Sequence, residues 1–197
     1  MINVRTHESF QDELNFVCQE IKKLMLEENV SAENIIVINI NNSSGCKEEC
    51  LQLRQFLNQN NIKSVTPGFV ESVDVFKVKD HVTIATPFKA KGNESDIVFL
   101  INSQKVSSDI TLRARNAFFA SVTRSRGWCY ISGHGDYMKI LEEEIDAIKS
   151  DFPHFKFTRP SNEKVNNVRE LLSKSDKELD KAKKRYSVGF RKSRLTI

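Results

Sequence analysis

The chain has little that would staple, ligate or anchor it. Its 197 residues include only four cysteines, Cys18, Cys46, Cys50 and Cys129, scattered among periodic segments. That is sparse for a disulfide framework and fits a reducing cytoplasm. No apolar run approaches the roughly 18 residues that a membrane span needs, and the N-terminus has no signal-peptide pattern. The expectation is a cytoplasmic protein without a membrane partner. No G-x-x-x-x-G-K-[ST] loop occurs, nor an apolar run ending in acidic residues at a matching distance, so the usual grip on a phosphate chain and its metal is missing. No Ser/His/Asp set or carboxylate pair stands out. Cys46-x-x-x-Cys50 with His81 or His134 has some zinc-like character, but both cysteines fall on the apolar face of a predicted helix. Buried core is the better reading, and no metal site is expected.

Positive charge is present but unevenly placed. The chain carries a formal +4, from 30 Lys/Arg and 26 Asp/Glu. Residues 161–197 hold 11 basic and 5 acidic residues, a balance of +6, which leaves 19 and 21 and a balance of −2 in residues 1–160. Overall charge therefore makes no case for a polyanionic partner of the main body. Particular residues must make it.

The patterning is that of alternating helices and buried strands. Ser9 with Asp12 reads as a capping box, followed by Phe10, Leu14, Val17, Ile21 and Leu24 at helical spacing. Ile35-Ile36-Val37-Ile38 is an unbroken apolar run, as expected of a strand covered on both faces. The turn-like 41–45 stretch leads into a helix over 46–59 with Cys46, Cys50, Leu53 and Leu57 inward. Residues 63–65 look strand-like, and further buried strands are predicted at 82–86, 96–101 and 128–132. A helix is predicted over 112–125, and another after a break at Gly133-His134-Gly135, with Met138, Leu141, Ile145 and Ile148 on one face. Pro153 and Pro160 bracket a candidate edge strand at 155–158. Beyond Ser161 a charged amphipathic helix is expected, with Val165, Val168, Leu172 and Leu179 inward. The fold class is thus α/β, a three-layer domain over 1–160 with a mostly parallel sheet, and a basic helical tail over 161–197.

Two segments carry candidate chemistry. The first is T-I-A-T-P-F-K-A-K-G-N-E, Thr83 to Glu94, lying between two apolar strands. As the loop at a strand's carboxyl end it would sit where open α/β sheets bind ligands. Gly92 permits close backbone approach, Lys91 is a positive charge, and Glu94 offers acceptors suited to a sugar hydroxyl. The plainer reading is a solvated charge cluster on a crossover. The second is R-A-R-N-A-F-F-A-S-V-T-R-S-R, Arg113 to Arg126. On a helix, Ala117, Ala120 and Ser121 share a side with Arg124, leaving a shallow groove beside a guanidinium that suits phosphate oxygens. The plainer reading there is a basic helix end complementing its own dipole.

Taken together, the A-K-G-x-E loop before an apolar strand and the V-T-R-S-R helix end about 30 residues later resemble motifs V and VI of superfamily 1 helicases of the UvrD/Rep kind. The resemblance extends back through the opening helix and first strand, over roughly residues 8–133, to the family's second RecA-like motor domain. It implies an ATP-dependent DNA or RNA translocase half. Arg124 would be the arginine finger, with Glu94 on the ATP ribose and Gly92 letting the backbone approach. Thr86, Phe88, Lys89 and Lys91 would lie along a single-stranded nucleic acid track, with DNA the first choice. ATP and Mg2+ are implied, the metal held by an N-terminal RecA-like domain elsewhere on the polypeptide, so the isolated chain is expected not to hydrolyse ATP. Departures accompany the match. Phe88 stands where the family often has His, and is either a base-stacking surface or core. Gly-Asn-Glu replaces Gly-Leu-Glu. The large accessory domain that UvrD/Rep proteins insert before motif V is expected to be missing. A non-catalytic RecA-like scaffold, with the basic tail as its working part, is the competing function.

Overall fold

The first helix begins where the sequence places a cap. Ser9 Oγ accepts from the Asp12 N–H at 3.2 Å and donates to the Asp12 carboxylate at 2.6 Å, opening α1 (Phe10–Leu26). In this computed structural model, residues 1–109 and 111–153 are described, with the single positions 161, 162 and 166. The expected edge strand at 155–158 and the inward positions Val165, Val168, Leu172 and Leu179 lie outside them.

Among the described residues six strands form one parallel sheet: β1 (Ile2–His7), β2 (Ile35–Asn39), β3 (Ser64–Val65), β4 (Val82–Ala85), β5 (Ser95–Ile101) and β6 (Ser125–His134). Their order is β1-β6-β5-β2-β4-β3, and every pairing is parallel. The helices are α1, α2 (Cys46–Gln59), the single turns α3 (Pro87–Ala90) and α4 (Lys105–Ser108), α5 (Leu112–Val122) and α6 (Asp136–Asp151).

Side-chain alternation divides the core between the two faces of the sheet. Ile35, Val37, Ile97, Phe99 and Ile101 pack under α1 and α2 against Leu14, Val17, Ile21, Cys50, Leu53 and Leu57. Ile36, Ile38, Val98, Leu100 and Ile131 meet Ala90, Val106, Met138 and Leu141 on the other side. This is the expected three-layer α/β arrangement. β2 is buried along its whole length because it lies between β4 and β5 with helices over both faces. Each fully buried aliphatic side chain contributes about 1.5–3 kcal/mol relative to exposure.

Several expectations need correction. β1 is a strand that the residue pattern does not signal. α5 ends at Val122, and β6 starts at Ser125 and runs through Gly133 and His134, so the chain breaks at Gly135, whose φ is 72°. Ile148 is 73% exposed, because α6 has by then run past the edge of the core.

Between β3 and β4 the chain runs only from 66 to 81, with no inserted domain. Arg54 on α2 anchors that segment: Nη1 donates to Thr66 Oγ1 at 2.7 Å and to Glu71 at 2.7 and 2.9 Å, while Thr66 N–H donates to Glu71 Oε2 at 2.6 Å. Burial pulls the Glu71 pKa up, but the Thr66 N–H and the Arg54 guanidinium outweigh it and hold it below the ordinary carboxylate value. A depressed folded-state pKa stabilises the fold above the unfolded value and loses that contribution as pH falls through the folded one. Glu71→Gln should therefore flatten part of the acid limb of a Tm-against-pH curve. An acid limb identical to that of the unaltered chain would remove Glu71 from the account.

Candidate nucleotide and nucleic-acid interface

The two motif segments meet at two levels of the sheet. Thr86 follows β4 at the carboxyl edge, and the chain then descends through α3 so that Lys91, Gly92, Asn93 and Glu94 arrive at the amino end of β5. Arg124 stands at the amino end of β6, its carbonyl accepting from Ser95 N–H at 3.0 Å, with Ser95 opposite Ser125. Only the start of the 83–94 segment lies at the carboxyl edge. The expected placement of the whole segment there is corrected, because consecutive parallel strands force the connection to return. Gly92 has φ 83°, and no atom lies within 4 Å of where a Cβ would stand. Its backbone conformation, not crowding, asks for glycine, and the space beside it is open. Glu94 is exposed and has no hydrogen-bond or ion-pair partner among the described residues.

Between these levels α5 runs back beside α3, and the two enclose a hollow of about 580 Å³. Pro87, Ala117 and Ala120 supply apolar lining, and Asn116 supplies an amide. Phe88 is 64% exposed, which resolves its two readings against core. The Arg113 guanidinium lies 5.6 Å from its ring centroid, within cation–π range. Lys91, Arg113 and Arg124 complete the lining, and no carboxylate joins them. The small residues expected beside Arg124 are present except Ser121, which is buried and donates to the Ala117 carbonyl at 2.7 Å.

The four arginines of this stretch divide cleanly. Arg115 forms a two-pronged pair with Glu144, at 2.5 and 3.0 Å, and Arg126 reaches Asp96 at 2.8 Å. Arg113 and Arg124 have no carboxylate partner among the described residues, and these are the two that face the hollow. Arg124 Nε donates to the Ala120 carbonyl at 3.0 Å and Nη2 to Thr123 Oγ1 at 3.4 Å. It thus completes the carbonyl end of α5, the plainer role foreseen for it, while its remaining Nη1 is uncommitted.

The positively lined hollow thus lies between Lys91 of the A-K-G-x-E loop and Arg124 of the V-T-R-S-R helix end. Residues 81–132 match the UvrD-like helicase C-terminal domain. The UvrD-like segment spans β4, α3, β5, α4, α5 and most of β6, and so contains every residue lining the hollow. Among solved structures, the chain is similar to the C-terminal domain of a possible DNA helicase from Lactobacillus plantarum WCFS1. That likeness has 16% identity over 68% of this chain and 74% of the other, with a TM-score of 0.53, and shows a shared fold. No curated protein matches the chain.

Within the UvrD-like segment one candidate turns aside. Lys89 Nζ donates to the Pro67 carbonyl at 2.6 Å and sits 3.9 Å from the centroid of the Phe69 ring. Burial lowers its pKa. One turn of α3 thus sends Lys89 toward the 66–71 segment, and Lys91 alone of the pair lines the hollow. Thr86 is half-buried before α3, its side chain making no capping bond. Arg113 and Asn116 were not among the sequence candidates. A signal for Arg113 was available, because Arg113, Ala117, Ala120 and Arg124 follow at helical spacing. The cysteines are all buried, and burial pushes the Cys129 thiol up to about 12. Among the described residues no three His, Cys, Asp or Glu side chains gather for a metal, and no helix is long and apolar enough to cross a membrane.

Proposed function

We propose that the chain is the second motor domain of an ATP-dependent superfamily 1 helicase or translocase. Arg124 acts as the finger on the γ-phosphate, Glu94 and Gly92 receive the ribose side of ATP, and Thr86, Phe88 and Lys91 belong to a single-strand track. Lys89 supports that track from behind through the Pro67–Phe69 turn. The N-terminal motor domain supplies the phosphate loop and Mg2+, and single-stranded DNA is the nucleic acid we favour. The 161–197 tail is proposed as a separate basic element. One observation carries the reading: among the described residues, the two of four neighbouring arginines that face the hollow lack carboxylate partners and the two facing elsewhere have them. Unpaired guanidiniums beside an ammonium, with no carboxylate in the lining, suit phosphate oxygens.

The competing scaffold reading accounts for the bonds from Arg124 to Ala120 and Thr123. It gives no reason for three cations kept together around an open hollow. Steady-state ATP turnover by the full-length protein, with single-stranded DNA present, separates the two. A ribose contact is similar in ground and transition states, so Glu94→Ala should raise KM while kcat stays near that of the unaltered protein. Full-length protein with no DNA-stimulated turnover would favour the scaffold.

A further inference from the structure

The connections from β2 and β5 leave the sheet in opposite directions. β2 feeds α2, on the face of the first core cluster, and the chain passes to β3 at one edge. β5 feeds α4 and α5 on the opposite face, and the chain passes to β6 on the other side. Because β2 and β5 are hydrogen-bonded neighbours, their carboxyl ends diverge and leave a crevice between them. This is the topological switch point, where open α/β sheets bind ligands.

A hollow of about 380 Å³ lies there, with Asn42 and Ser43 on the β2 side and Lys105, Asp109 and Arg113 on the other. The crevice is built, not loose. Asn41 Nδ2 donates to Glu49 Oε1 at 2.8 Å, and Asn41 Oδ1 accepts from Ser43 N–H at 3.0 Å. From the β5 side, Asn102 Nδ2 donates to Asn39 Oδ1 at 3.1 Å and to Glu49 Oε2 at 3.0 Å. These bonds tie the two diverging loops together beneath the crevice, so its floor is preformed. The Lys105 ammonium has no acidic partner among the described residues. Asp109 is engaged by the Thr111 N–H at 3.0 Å. Arg113 lines both this crevice and the hollow beside Phe88.

We propose that the crevice is a second phosphate-binding subsite of the single-strand track. A base lies against Phe88, the adjoining phosphate sits at Arg113, and the next phosphate enters the crevice at Lys105 and the hydroxyl and amide of Ser43 and Asn42. A repeating polyanion explains why one guanidinium serves two adjacent hollows, whereas a single bound phosphate would need only one. The proposal rests on the reading of Phe88 as part of that track.

The test is fluorescence anisotropy of the full 197-residue chain with a labelled thymidine decanucleotide, titrated at several salt concentrations. Lys105→Gln should weaken binding at low salt roughly threefold to tenfold and take about 0.7 off the slope of log affinity against log salt, the share of one phosphate on a single strand. Lys23→Gln, the same charge loss on the exposed face of α1, should change neither. Ser43→Glu, a charge placed in an exposed loop where folding is not at stake, should weaken binding at least as much as Lys105→Gln. If Phe88→Ala weakens binding while Lys105→Gln and Ser43→Glu behave like Lys23→Gln, the crevice is overturned and the track beside Phe88 stands. If Phe88→Ala also leaves binding unchanged, or the unaltered chain does not bind at low salt, the track itself falls and the crevice with it.

Discussion

Arg124→Ala in the full-length protein should lower kcat for ATP by about 10³–10⁵ while changing ATP affinity far less. A finger acts on charge that develops as the phosphoryl group transfers, so the loss falls on the transition state. To reach outward, the side chain must release its bonds to the Ala120 carbonyl at 3.0 Å and Thr123 Oγ1 at 3.4 Å. Such bonds contribute only about 0.5–1.5 kcal/mol each net of water, which a phosphate contact readily offsets. Both bonds are exposed, so the variant should lose no more than about 1–3 kcal/mol of stability. Arg126→Ala, which removes the exposed pair with Asp96 at 2.8 Å, supplies the contrast. It deletes the same chemical group two residues away and should leave kcat near normal. Loss of turnover in Arg126→Ala with normal turnover in Arg124→Ala would reverse the assignment of the finger.

The largest expected stability loss lies elsewhere, at Glu13. This α1 carboxylate is 0% exposed. It accepts from the Asn102 N–H at 2.9 Å and from Ser132 Oγ at 2.7 Å, and lies 3.3 Å from His134 Nδ1, joining the ends of β5 and β6 to the first helix. Glu13→Ala leaves these donors without their acceptor and opens a cavity beside them. Orphaned buried groups cost about 1–3 kcal/mol each, so a loss of about 3–5 kcal/mol is expected. Against a usual total of about 5–15 kcal/mol, that brings the fold near the limit of stability. Glu13→Gln keeps one acceptor oxygen and should lose less. Glu143→Ala, at an exposed position on α6, should stay within about 0.5 kcal/mol. Urea denaturation of the three variants reads the difference directly. A Glu13→Ala loss no greater than that of Glu143→Ala would show that water replaces the carboxylate without penalty.

Elements with a strong period of their own are legible in the amino-acid sequence. The 46–59 helix matches α2 in both bounds, because Cys46, Cys50, Leu53 and Leu57 repeat at helical spacing and a polar turn precedes them. Elements that owe their form to a partner are not. β1 is a half-exposed strand held by β6, at the edge of the sheet among the described residues, and INVRTH alone carries too little apolar signal to announce it. The S-R-G stretch after Arg124 reads as a helix end, yet Ser125 pairs with Ser95 and the run becomes strand, with an irregular register before Trp128. The site divides in the same way. Local sequence brings Lys91, Gly92, Glu94 and Arg124 into view but does not tell Lys89 from Lys91, since only the packed turn of α3 points them apart. The crevice at Lys105 depends on strand order, which no local pattern carries.

The position of β1 also dictates an order of events as the chain folds. Among the described residues β1 pairs only with β6, whose residues lie more than a hundred positions later, so its docking closes nearly the whole described domain into one loop. Closing a long loop grows only slowly more expensive with length, by about 0.6 kcal/mol per doubling, but nothing repays that entropy until β6 has formed. During synthesis β1 is made before the other five described strands and waits for β6, with its backbone groups hydrated, while β2, β4 and β5 assemble around their own neighbours. In the native state, a strand that among the described residues is held along one side is the place where sub-global opening should begin. Of the six described strands, the first in chain order is thus the last to pair and the first expected to open.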